Sequence, residues 1–161
     1  MRGKTRQTCY SVRILPGILL IFLATIAAPA QRADFSGLWK QDNDLRQPKR
    51  SGEATLTIVH RDPDLTVETY LSHGLQNQQH AVQKYTTDGQ VSVSTGTDGD
   101  EFHTSVVWKD TSLFFSIEEH EDGRILRSRE TWVLTDGAAT LQRTRERPDG
   151  EKQILIYRRL R

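Results

Sequence analysis

The chain has 161 residues, with 22 Lys and Arg against 21 Asp and Glu, and one Cys. A net charge of +1 excludes the strongly basic balance that gripping a nucleic-acid backbone needs, while 35% hydrophobic residues suffice for one packed domain. A single Cys excludes an internal disulfide framework and a thiolate metal cluster.

The first thirty residues read as a segment apart from the fold. Arg2, Lys4, Arg6 and Arg13 form a basic stretch without an acid, residues 14–28 are an apolar run, and Ala28-Pro29-Ala30 is a small-x-small cleavage pattern. That is the layout of a secretory signal peptide. The run is short for crossing a bilayer and Pro16-Gly17 weakens it as a helix, so cleavage is expected rather than a retained anchor. Cys9 precedes the run, which argues against lipid attachment. The expected address is secreted or periplasmic. Cleavage after residue 30 leaves 131 residues with 18 basic against 21 acidic side chains, a net charge of −3, and no Cys.

From 31 to 161 a single domain of strands is expected. Residues 35–40 form a short first strand. Residues 54–60 alternate, with Ala54, Leu56, Ile58 and His60 on one face, and 65–71 do likewise with Leu65, Val67, Thr69 and Leu71. Arg61-Asp62-Pro63-Asp64 is the turn between them. Further strands are expected at 80–86, 90–95, 101–108, 113–119, 125–134, 140–147 and 153–160. Turn signals punctuate them: Asp88-Gly89, Asp98-Gly99, Asp110-Thr111, Asp122-Gly123, Asp136-Gly137 and Asp149-Gly150, at gaps of 10, 12, 12, 14 and 13 residues. Asp-Gly suits tight hairpins because Gly takes positive φ freely and Asp bonds the local backbone. No window carries a sustained i, i+3, i+4 apolar pattern, so almost no helix is expected after the leader. The expectation is an all-β fold, a single antiparallel up-and-down barrel of eight to ten strands, since closure removes exposed sheet edges. A barrel of that size is filled by side chains or holds one small ligand.

Asp34-Phe35-Ser36-Gly37-Leu38-Trp39-Lys40 opens the first strand. It resembles the Gly-x-Trp signature of the lipocalins and the Phe-x-Gly-x-Trp-Lys start of the intracellular fatty-acid-binding proteins. Ile154-Leu155-Ile156-Tyr157-Arg158-Arg159 resembles the closing strand of the latter. The whole layout is similar to that of secreted bacterial lipocalin-like proteins. The resemblance implies a calycin-type barrel closed at Gly37 and Trp39, with a basic residue, Arg158 or its neighbour Arg159, across the indole. Such a cation–π contact is worth about 0.5–2 kcal/mol. There are departures. Fatty-acid-binding proteins carry a helical lid where residues 41–52 are short, polar and interrupted by Pro48. Their carboxylate clamp has an Arg two residues before a last-strand Tyr, where this chain has Leu155 before Tyr157. The disulfides common in lipocalins are missing too.

Strand 140–147 has one apolar residue, Leu141, and period 2 puts Arg143 and Arg145 on its face. The preceding strand puts Glu130, Trp132 and Leu134 on one face. Pairing Leu134 with Leu141 sets Trp132 opposite Arg143 and Glu130 opposite Arg145. The expectation is an interior charged pair beside an indole, an anchor for a ligand's polar head; a β-bulge would instead turn these arginines to water. Leu56, Ile58, Phe102, Val106, Phe115, Ile117, Trp132 and Leu134 are expected to point inward. The candidate ligand site is therefore Phe102, Val106, Phe115, Ile117, Glu130, Trp132, Arg143 and Arg145. The expected function is non-catalytic binding of a small, largely apolar ligand; the alternative is a structural or protein-interaction barrel with a filled core.

Other chemistries lack a carrier in the sequence. Arg124, Arg127, Arg129, Arg143, Arg145 and Arg147 interleave with Glu118, Glu119, Glu121, Asp122, Glu130 and Glu146, which suits cross-strand ion pairs rather than nucleic acid. His60, His73, His80, His103 and His120 show no ligand spacing, and Asp42-Asn43-Asp44 and 97–100 lack the distal Glu of a calcium loop, so no metal or cofactor is expected. No Gly-x-Ser-x-Gly, phosphate loop or His-Glu-x-x-His points to an enzyme. Nor can strand 140–147, with Arg on one face and Thr, Gln, Thr and Glu on the other, face lipid in a transmembrane barrel.

Overall fold

Ten strands and no helix form the regular structure of the computed structural model, which describes residues 32–48, 52–72, 78–96 and 99–160. The expected leader, His73 and the Asp98 turn position lie outside the described residues. The strands are β1 (Gly37–Gln41), β2 (Glu53–Arg61), β3 (Asp64–Ser72), β4 (Gln78–Thr86), β5 (Asp88–Thr95), β6 (Glu101–Lys109), β7 (Ser112–Glu121), β8 (Arg124–Thr135), β9 (Thr140–Glu146) and β10 (Lys152–Arg159). Each expected strand is present with its ends displaced by two residues or fewer. Asp110, Asp122 and Asp136 take φ of 55°, 46° and 52°, the left-handed conformation that two-residue and short hairpins require.

The sheet runs β4-β3-β2-β1-β10-β9-β8-β7-β6-β5, all neighbours antiparallel. First and last strands meet: Trp39 is in register with Arg159 and Gln41 with Tyr157. The chain thus closes where the sequence said it should. It does not close everywhere. β4 pairs only with β3 and β5 only with β6, so the expected sealing of all edges fails at one seam. The reason lies at Thr87, the residue between them. Its N–H donates to the Pro63 carbonyl at 2.8 Å and its hydroxyl donates to Asp62, binding the junction to the β2–β3 turn. Asp88-Gly89 therefore starts β5 at a register shift instead of turning a hairpin.

The end of the barrel that holds Trp39 is a packed floor. Phe35 reaches back under the strands, fully buried, with its ring 5.9 Å from His60, 6.1 Å from Trp108 and 6.2 Å from Trp132. Its carbonyl accepts the Trp39 indole N–H at 3.1 Å. Above it Leu56, Ile58, Leu65, Val67, Val106, Leu113, Phe115, Trp132 and Leu141 complete the apolar core. Arg159, not Arg158, covers the indole, its guanidinium 4.3 Å from the Trp39 ring. Alternation decides this: Tyr157 and Arg159 share the inner face, while Arg158 faces out to Asp42, Asp136 and Thr140. Gly37, at φ 141°, leaves the space Arg159 needs, since a Cβ there would sit 3.0 Å from Nη1.

His60 ties the floor to acidity. Its Nδ1 accepts the Phe35 N–H at 3.5 Å, and its Nε2 is buried without a hydrogen-bond partner. Burial lowers its pKa from 6.5, against the opposing pull of Asp34 and Asp62 and with a small push from Arg32. A depressed histidine binds its proton more readily when unfolded. Its contribution is complete above about pH 6.5 and drains away as the medium turns more acid. Urea midpoints at about pH 7.5 and 5 should therefore fall further in the wild type than in His60→Leu; parallel losses in the two proteins would contradict this.

Candidate functional site

The inner faces of β8 and β9 carry the polar chemistry. Their register is Leu134 with Leu141, Trp132 with Arg143 and Glu130 with Arg145. No bulge intervenes, so both arginines stay on the face of Leu141. Glu130 is 5% exposed. It accepts the Arg143 Nε–H at 2.5 Å and the Trp132 indole N–H at 2.5 Å. The Arg143 guanidinium lies 4.6 Å from the Trp132 ring and 5.7 Å from the Tyr157 ring of β10. Burial pushes the Glu130 carboxyl up, but Arg143, Trp132 and Arg145 more than offset that and hold it below its ordinary value. Arg143 is raised despite its burial, chiefly by Glu130. The pair is ionised on both sides.

Arg145 is different. Its Nε is buried without a hydrogen-bond partner, and it forms no ion pair among the described residues. Tyr85 comes in from β4, edge-on to Phe115 at 5.6 Å. Burial pushes its hydroxyl up to about 12, with Arg143, Glu130 and Arg145 close enough to act on it. Tyr157 is raised too, by burial first. Both phenols remain neutral donors at physiological pH.

These groups border a pocket of about 420 Å³ that opens at the β4–β5 seam. Its walls are His80, Ala81, Val82, Gln83 and Tyr85 of β4, Ser94 and Thr95 of β5 with Gly96 after it, Phe102 and Thr104 of β6, Ile117 of β7, Glu130 of β8 and Arg145 of β9. Of the residues expected to meet a ligand, Phe102, Ile117, Glu130 and Arg145 line it. Val106, Phe115 and Trp132 do not; they are core beneath it. Arg143 is held within the charged pair at its base. Sequence reasoning missed Tyr85 and Thr104, and gave Tyr157 no place in the site. Strand 80–86 has no clean apolar alternation, so nothing marked its inward face. Hollows of about 470 Å³ also lie outside the barrel, one along Thr55, Tyr70 and His80 and one beside Asp34 and Arg159. Both are open to solvent. On the outer wall His103 and His120 stack at 4.3 Å, yet among the described residues no group of three or more acids, His or Cys is placed to hold a metal ion.

No family model matches the chain, and no curated protein matches it by sequence. Solved structures match by shape. A protein described as the REP1-NXSQ fatty acid transporter superposes with a TM-score of 0.62 at 12% identity, over 80% of this chain and 97% of that one. The Schistosoma mansoni fatty-acid-binding protein in complex with arachidonic acid gives 0.56 at 15%, over 79% and 96%. Secretory abundant heat soluble protein 4 from Ramazzottius varieornatus gives 0.57 at 14%, over 79% and 95%. The fold is that of the fatty-acid-binding barrels. Of the two resemblances read at the chain's ends, the one to fatty-acid-binding proteins is the one the comparisons support. Identities this low carry the fold and no further.

Proposed function

We propose that the protein is a non-catalytic carrier that binds one small amphipathic anion of the fatty-acid class. The apolar part lies against Phe102, Ile117, Ala81 and Val82, and the head group meets Arg145. One observation carries this reading: a buried, unpartnered arginine nitrogen in the wall of a pocket large enough for a ligand. An orphaned buried donor costs about 1–3 kcal/mol, which a bound carboxylate would recover. The shared fold with barrels described as a fatty acid transporter and a fatty-acid-binding protein supports the same class of ligand. The sequence of residues 1–30 supports an address outside the cytoplasm, and a mature protein beginning at Gln31 in intact-mass spectrometry is the expected result.

Calorimetric titration with laurate tests the carrier reading. One equivalent should bind. Arg145→Met should weaken laurate by roughly ten- to a hundredfold, the worth of a charged hydrogen bond, while leaving uncharged dodecanol nearly unaffected. No binding of laurate or dodecanol at any concentration would leave the filled structural barrel as the answer.

A further inference from the structure

The Glu130–Arg143 pair does more than fill the barrel. The chain departs from the carboxylate clamp of fatty-acid-binding proteins, whose arginine stands two residues before the last-strand tyrosine. Here that place is Leu155, and Leu155 is in register with Arg143 of the neighbouring strand. The cation of this chain stands on the adjacent strand and faces the tyrosine, 5.7 Å from the Tyr157 ring. Yet the seat a ligand's carboxylate would take on it is filled from within, because Glu130 already accepts from Arg143 and Trp132.

Resting on the carrier reading above, we propose that Glu130 is a resident counter-anion that limits the pocket to a ligand head carrying a single negative charge. The charges around the cavity add up this way. Glu130 cancels Arg143 at 2.5 Å, His80 at the wall is engaged by Glu68 at 2.8 Å, Tyr85 and Tyr157 are neutral, and Arg145 stands at the wall with no ion pair among the described residues. Arg46 has a buried, unpartnered Nε but lies towards Tyr157 and does not line the cavity. The hollow outside this cavity that Arg145 also borders carries Glu119 and Asp149 against Arg147, so it adds no cation to the cavity. A second negative charge would have the Glu130 carboxylate as its neighbour and no unpaired cation of its own. A carboxylate or sulfonate head is admitted; a phosphate dianion is not.

The test compares laurate with dodecyl phosphate, equal in tail and different in head charge, by calorimetric titration of the wild-type protein at about pH 8 in two buffers of different ionisation enthalpy. At that pH the phosphate is mostly a dianion, its second pKa being about 6. Laurate should bind without proton exchange. Dodecyl phosphate should bind about tenfold or more weakly and take up close to one proton per complex, because only a net single charge is accommodated. In Glu130→Gln, Arg143 is released. Dodecyl phosphate should then bind about tenfold or more tightly than to wild type, with no proton uptake. The wild-type arm needs no variant, so the proposal stays testable if Glu130→Gln does not fold. Laurate binding accompanied by equally tight phosphate binding without proton uptake would overturn the counter-anion and leave the carrier standing. A folded Glu130→Gln with an unchanged preference would do the same. Failure of both anions to bind would overturn the carrier reading and this one with it.

Discussion

Arg143→Met is expected to destabilise the protein by about 3–5 kcal/mol. The Arg143 side chain is only 18% exposed and that of Glu130 6%, so removing the cation strands a buried anion whose remaining hydrogen bond is the Trp132 N–H. Methionine keeps much of the stem volume between Trp132 and Tyr157, so the loss measures charge more than cavity. The double variant Glu130→Leu, Arg143→Met removes both charges and should regain most of that stability, since apolar replacement of a whole buried pair is often neutral. Urea unfolding of the two variants decides it. A single variant as stable as the double one would show that the pair is solvated and not the sealed unit described above.

The second large effect lies at the floor. Phe35→Ala should cost about 3–5 kcal/mol and lower the melting temperature by roughly 10–20 °C. Phe35 is fully buried and touches rings from three strands: His60 of β2, Trp108 of β6 and Trp132 of β8. Among the described residues only Phe35 and the small Ala33 join the apolar core from outside the strands. Its backbone also accepts from Trp39, so the loss reaches the β1–β10 closure. Thermal unfolding followed by tryptophan fluorescence is a direct readout, because Trp39, Trp108 and Trp132 all border the floor. A shift of only a degree or two would mean that the segment before β1 is an ornament rather than a plug.

How far the sequence could be read depended on how local the cause was. Strand limits were legible because Asp and Gly at 110, 122, 123, 136 and 137 take left-handed conformations that few other residues accept. The three cross-strand pairs of β8 and β9 were legible because a single apolar anchor, Leu141, fixed the phase of a strict two-residue period. On β10 that device failed. Ile154 and Ile156 on one face balance Leu155 and Tyr157 on the other, so nothing local chose Arg159 over Arg158. The seam was invisible for a different reason. Asp88-Gly89 looks like its sister turns, and what pulls it open is Thr87 bonding to Asp62 and Pro63 of a distant hairpin. Depth along the barrel axis was hidden as well. Alternation tells inside from outside, yet not whether an inward residue such as Phe115 or Phe102 ends up in packed core or at a cavity wall.

The seam gives the barrel a hinge without a latch. Nine of its ten adjacent-strand junctions are zipped by backbone ladders; β4 and β5 can part while every one of them stays intact. On the carrier reading proposed above, a guest would slip in sideways on the timescale of local breathing, with no need for the whole domain to melt. In deuterated solvent, the amides of β4 and β5 that face each other should be the first strand protons to exchange.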